Sequence, residues 1–270
     1  MMNVKKENSK VHIIGKIHKS KVMLVYGAGF YWETCFPRIV DDLKDQYCIL
    51  IPELEGHTNN PEEFMVSVEV TAGNITEELR KLDIHSIDVI YGISLGASVA
   101  MEIALQRKIN VNHLVLDGGQ YESMGEMKEQ YSNFMADAFL RLLEGEHLPS
   151  PVKESMGYTA GNDVEVFKPL IYKHITRDAL LHAFLAAYSY DLKSKCTKID
   201  THVAVMIGGN ETYAAQCMPI LETICAKHLE TYDFPNKGHA EILSKDPEKI
   251  SDLIFGIANA YFGQKFGGVK

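Results

Sequence analysis

The sequence predicts an α/β protein: a doubly wound, mostly parallel sheet that carries a helical insertion. Three observations predict it. Short apolar runs alternate with longer stretches of helical periodicity, as in successive βα units. Most of the runs are continuously apolar, as strands covered on both faces must be. One long stretch between them shows helical patterns alone. With 46% apolar and 23% charged residues, a chain of 270 residues can bury a solid core.

The elements follow in order. Residues 11–20 (VHIIGKIHKS) read as an antiparallel edge hairpin. The first core strand is 21–27 (KVMLVYG), followed by a helix over 34–44 and a strand at 47–54 (YCILIPEL). A helix over 62–82 leads to the strand 88–94 (DVIYGIS), a helix over 96–108 and the strand 113–119 (HLVLDGG). From 120 to 200 no strand is convincing, whereas YSNFMADAFLRLLEG and RDALLHAFLAAYSY have helical spacing. A connection that long does not belong inside a compact unit. Residues 120–200 are therefore expected to be a helical insertion packed on a core made of 1–119 and 201–270. That core resumes with the strand 202–209 (HVAVMIGG), a helix over 218–227, the strand 229–235 (LETYDFP) and a helix over 247–262.

Composition removes several function classes. A formal charge of −9 disfavours nucleic acid and anionic membranes as partners, since both require basic surface. No run approaches the roughly 18 apolar residues of a spanning helix, and the lysine-rich start lacks a signal-peptide core. Five cysteines with no CxxC pair fit reduced thiols, so a cytoplasmic protein is expected. Cys35 reads as a buried small hydrophobe rather than a thiol nucleophile.

The chemistry centres on Gly92-Ile93-Ser94-Leu95-Gly96, a G-x-S-x-G placed between a strand and a helix. Such a turn strains the backbone at the serine, and the flanking glycines let neighbouring chain pass without a Cβ clash. A serine hydroxyl needs a base, and the NKGHAEIL loop after the last strand offers His239. The imidazole in turn needs a carboxylate. Glu211, after VAVMIGGN, is the first candidate and Asp117, ending HLVLD, the alternative. Two N–H groups should hold the developing oxyanion: that of Leu95, and one from the VYGAGFYW loop, Ala28 or its neighbour Gly29. Phe30, Tyr31 and Trp32 follow that loop and serve equally as acyl-pocket walls or as core. Met124, Met127, Phe134 and Met135 similarly fit an apolar cover or ordinary core. His57, in its own Gly-His loop, reads as structural. A dinucleotide loop at Gly27-x-Gly29 fails because Trp32 stands where a third glycine is required.

Taken together, VMLVYGAGFYWETCFPRIVDDL, IPELEGHTNN, YGISLGASVA, MIGGNE and NKGHAEIL resemble the α/β-hydrolase superfamily, specifically its cap-bearing serine hydrolases, over nearly the whole chain. Two departures stand out: Tyr26 replaces the usual histidine of the oxyanion segment, and Glu211 replaces the commoner aspartate. A serine at 94 disfavours the superfamily's dehalogenases and epoxide hydrolases. The resemblance implies a serine esterase or thioesterase with Ser94, His239 and Glu211 as triad, Ala28 and Leu95 as oxyanion hole, and 120–200 as cap. It implies no metal and no cofactor. The expected partner is a small, fairly apolar acyl compound, and a homodimer stays open. The same triad would also serve an amide, a C–C bond or acyl transfer; a low-turnover ligand-binding protein is the remaining alternative.

Overall fold

The structure, a computed structural model, describes residues 10–58, 63–225 and 228–266. Seven strands form one sheet: β1 (Val11–Ile14), β2 (Lys21–Val25), β3 (Cys48–Pro52), β4 (Ser86–Ile93), β5 (Asn110–Asp117), β6 (His202–Gly208) and β7 (Leu229–Phe234). They lie in the order β1-β3-β2-β4-β5-β6-β7, every neighbouring pair parallel except β1 with β3. Val22 to Val25, Cys48 to Ile51 and Leu114 to Leu116 are fully buried, which explains their unbroken apolar runs.

The order reverses at β2. The chain leaves β2 for β3 on one side, then crosses back to β4 on the other. In a doubly wound sheet this switch point opens a crevice beyond the carboxyl ends of the two strands. Val25 pairs with Gly92 there, so the loop after β2 and the serine turn after β4 emerge side by side.

The expected edge hairpin is corrected in one respect. β1 is antiparallel, but its partner is β3, with Val11 opposite Pro52. Both sides of β2 are taken by β3 and β4, so β1 adds to the outer edge of β3 instead. The helix expected over 34–44 is broken into Trp32–Cys35 and Pro37–Leu43, because Pro37 has no N–H to continue the first piece. The next helix begins at Val68, where the Ser67 hydroxyl accepts the Val70 N–H at 3.2 Å; its expected start at 62 lies outside the described residues. The helix expected over 218–227 is Met218–Ile224, and positions 226 and 227 are likewise outside the described residues.

Between β5 and β6 the chain forms helices Lys128–Glu144, Ser150–Ser155, Asp163–Phe167 and Arg177–Ser189, and no strand. The first and last of these pack on each other, and a single antiparallel bridge joins Ile171 to Phe30. No helix among the described residues is long and apolar enough to cross a membrane.

Candidate active site

Ser94 occupies the turn between β4 and the helix Leu95–Gln106 with φ 56° and ψ −123°, a conformation L-residues avoid. The turn is tight enough to demand its glycines. A Cβ on Gly92 would meet the Gly96 carbonyl oxygen at 2.3 Å, and one on Gly96 would meet the Val25 carbonyl oxygen at 2.2 Å. The Ser94 N–H donates to the Asp117 carbonyl at 2.7 Å, fastening the strained residue to β5, and Ala97 N–H donates back to the Ser94 carbonyl at 2.9 Å to start the helix.

The turn after β2 runs beside it. A Cβ on Gly27 would stand 3.0 Å from the Ser94 Cβ, and the Phe30 N–H closes the turn onto the Gly27 carbonyl at 3.1 Å. The Gly29 N–H donates to His57 Nε2 at 3.0 Å, so that group is already engaged. The His57 Nδ1–H reaches the Glu55 carbonyl at 3.1 Å, which fixes the tautomer. Burial depresses this imidazole to about 4, against the raising influence of Glu55, and keeps it neutral. Tyr26 completes the tie: its buried hydroxyl oxygen accepts the Leu54 N–H at 2.8 Å. The tyrosine that replaces a histidine in this segment thus anchors the loop that carries His57.

His239 Nδ1 and Glu211 Oε1 are 2.7 Å apart, both buried. The bond assigns the proton to Nδ1 and leaves Nε2 as the ring's acceptor. Burial by itself would lower the His239 pKa, but the Glu211 charge, its hydrogen bond and the Asp117 charge together outweigh it, and the shift is upward. The pair rests on bare backbone: a Cβ on Gly118 would come within 2.5 Å of His239 Nδ1 and 2.8 Å of Glu211 Oε1. The histidine loop is held from above. Its N–H donates to the Met156 carbonyl at 2.9 Å, and the Tyr158 hydroxyl donates to the His239 carbonyl.

Asp117 lies behind this pair, with its carboxylate bonded to Tyr91: Oδ2 accepts the tyrosine hydroxyl at 2.9 Å. Burial, reinforced by the Glu211 charge, pushes its carboxyl up to about 7 against the opposing effects of His239 and Tyr91. Of the two acid candidates, Glu211 is the one in contact with His239.

Ser94, His239, Glu211, Ala28, Leu95 and Phe30 line one cavity of about 210 Å³. Tyr31 and Trp32 do not line it, and of their two readings the packing one is what their neighbours support. Tyr31 packs on Tyr172 at 4.7 Å and Trp32 on His12 of β1 at 4.9 Å, because the chain turns into a helix at Trp32 and carries them toward the sheet edge. From 120–200, Met124 and Met135 reach the cavity, whereas Met127 and Phe134 are exposed. The signal that finds the right side chains is helical phase. Tyr131, Met135 and Phe139 form an i, i+4, i+8 stripe, and Phe184, Ala187 and Tyr188 an i, i+3, i+4 set. A larger groove of about 560 Å³ opens at the opposite strand ends among His85, Arg107, Lys108 and Asp200. Among the described residues no serine lines it, so volume does not locate the site. Among the described residues no cluster of His, Cys, Asp or Glu is arranged to hold a metal ion.

Comparison with solved structures then bears on the family. An alpha/beta hydrolase family protein from Desulfitobacterium hafniense is 64% identical, with a TM-score of 0.91 over 92% of this chain and 99% of that one. The chain belongs to the alpha/beta hydrolase family. More distant neighbours share the fold: a hydrolase from Pseudomonas aeruginosa at 17% identity (TM-score 0.73, 92% of each chain) and a thermophilic esterase from Thermogutta terrifontis at 18% (TM-score 0.70, 91% of each chain). No family model and no curated protein matches the chain. Within the alpha/beta hydrolase frame, Ser94, Glu211 and His239 all follow the carboxyl ends of their strands, β4, β6 and β7.

Proposed function

We propose that this alpha/beta hydrolase is a serine hydrolase that cleaves a small, fairly apolar carboxylic ester or thioester through an acyl-enzyme on Ser94. The observation that carries the reading is the buried Glu211–His239 pair, sharing one cavity with a serine held on a strained turn. His239 Nε2 takes the Ser94 proton as Oγ attacks the acyl carbon. Glu211 holds the tautomer and stabilises the imidazolium that forms. The Ala28 and Leu95 N–H groups receive the oxyanion, each worth about 10²–10³ in rate. Ala28 is favoured over Gly29 because His57 already occupies the Gly29 N–H. Collapse breaks the acyl–oxygen or acyl–sulfur bond, and His239 returns the proton to the leaving group. Water, deprotonated by the same nitrogen, then releases the acid.

In this reading 120–200 is a cap, since its side chains close the cavity above Ser94. That the Thermogutta neighbour is an esterase accords with it. A fluorophosphonate probe should label Ser94 in the wild-type chain, and chromogenic esters and thioesters should turn over faster than matched amides. Absence of both labelling and ester turnover would overturn the reading.

A further inference from the structure

We infer that the acyl group accepted at Ser94 is uncharged and aromatic, an arylalkyl acyl of about phenylacetyl to phenylpropionyl size; this rests on the serine-hydrolase reading. Three features of the cavity carry it. The first is charge. Among the described residues no lysine or arginine lines it, and its ionisable pair, Glu211 and His239, is committed to itself. A carboxylate on the acyl group would enter an apolar site with no cation to meet it and the Glu211 charge nearby, which is costly.

The second is size. Cavities of about 150 Å³ with apolar walls hold one benzene ring. At about 210 Å³ this cavity has space for a ring and a short linker to the carbonyl, and a long alkyl chain would have to run out past its mouth into water.

The third is the wall itself. Phe139 meets Phe184 at 4.9 Å and 75° and Phe167 at 5.8 Å and 60°, so the rings already stand edge to face. Tyr188 continues the set, stacked on Phe184 at 5.8 Å. A guest ring can add edge-to-face partners of the same kind, each contributing about two- to tenfold in affinity beyond area alone. Met124, Met135 and Met156 line the same space and add thioether–ring contacts. A flexible alkyl chain of equal bulk gains none of these and loses more rotamer freedom on binding.

The test is kcat/KM of the wild-type chain on p-nitrophenyl acetate, hexanoate, decanoate, phenylacetate and hemisuccinate, with fluorophosphonate labelling in parallel. Phenylacetate should exceed hexanoate by about fivefold or more, and decanoate and hemisuccinate by about a hundredfold. Hexanoate, decanoate or hemisuccinate matching phenylacetate overturns the inference. If Ser94 labels and acetate turns over without that ranking, the acyl assignment fails alone. If Ser94 does not label and no ester is cleaved, the serine-hydrolase reading fails and the acyl assignment falls with it. Phe184→Ala, which removes a wall, should raise the decanoate-to-phenylacetate ratio about tenfold. Phe184→Leu should move it the same way should the alanine variant not fold, and an unchanged ratio in a folded variant counts against the inference.

Discussion

His57 Nε2 accepts the Gly29 N–H at 3.0 Å, joining the loop after β3 to the turn after β2. A second tie runs the other way, from the Leu54 N–H to the Tyr26 hydroxyl. Together they brace the backbone at Ala28, between Tyr26 and Gly29, from a loop that touches neither Ser94 nor His239 through a hydrogen bond. His57→Leu should therefore act on rate as well as stability. A buried N–H left without a partner costs about 1–3 kcal/mol, and an oxyanion donor moved off its aim costs up to about 10²-fold in kcat. Comparing the melting temperature with kcat on a good ester checks it; a lower melting temperature with unchanged kcat would make the bond purely structural.

The same imidazole gives the protein a signature in acid. Its folded-state pKa, about 4, lies below the ordinary 6.5, so the fold binds fewer protons there than the unfolded chain. Its contribution to stability is complete above pH 6.5 and is lost as pH falls from there through 4, by about 3 kcal/mol in all. Chemical denaturation at a series of pH values should show that slope in the wild type and a shallower one in His57→Gln. Parallel slopes would mean that another group dominates.

For the acid, contact decides. Glu211→Gln should lower kcat by about 10³–10⁴, because an amide neither stabilises the imidazolium nor enforces the tautomer. Asp117→Asn should stay within about tenfold, since its partner is the Tyr91 hydroxyl and an amide oxygen still accepts that bond. The opposite ranking of the two variants would transfer the role of acid to Asp117.

How far the sequence discloses these features depends on whether a feature is local. The elbow is local: strand, glycine, serine, glycine and small-residue helix are contiguous, and its geometry follows from backbone crowding within 92–96. The parallel strands were legible because burial on both faces leaves continuous apolar runs. What brings Gly29 to His57, or Glu211 rather than Asp117 to His239, is the packing of loops from distant strands, on which single-chain periodicity is silent. The adjacent pair Phe134 and Met135 shows the same limit. Both are apolar, yet a rotation of one helical residue sends the first to solvent and the second into the cavity. Only the i, i+4 stripe with Tyr131 and Phe139 distinguishes them.

The strain at Ser94 makes the last prediction. A non-glycine residue at φ 56° and ψ −123° costs about 1–3 kcal/mol, a cost the fold carries to present the hydroxyl. Ser94→Ala removes the nucleophile but keeps a Cβ, and so keeps the strain. Ser94→Gly removes both, less about 0.5–1 kcal/mol for the greater freedom of glycine in the unfolded chain. Both variants should lose about 10⁴-fold or more in turnover and all fluorophosphonate labelling. The glycine variant should nevertheless be the more stable of the two by about 1 kcal/mol, a rise of roughly 2–4 °C in melting temperature. Calorimetry on the pair separates strain from chemistry. A glycine variant less stable than the alanine variant by about 0.5–1 kcal/mol would show that the elbow is relaxed at Ser94, and activity within tenfold of wild type in folded Ser94→Ala would remove it as nucleophile.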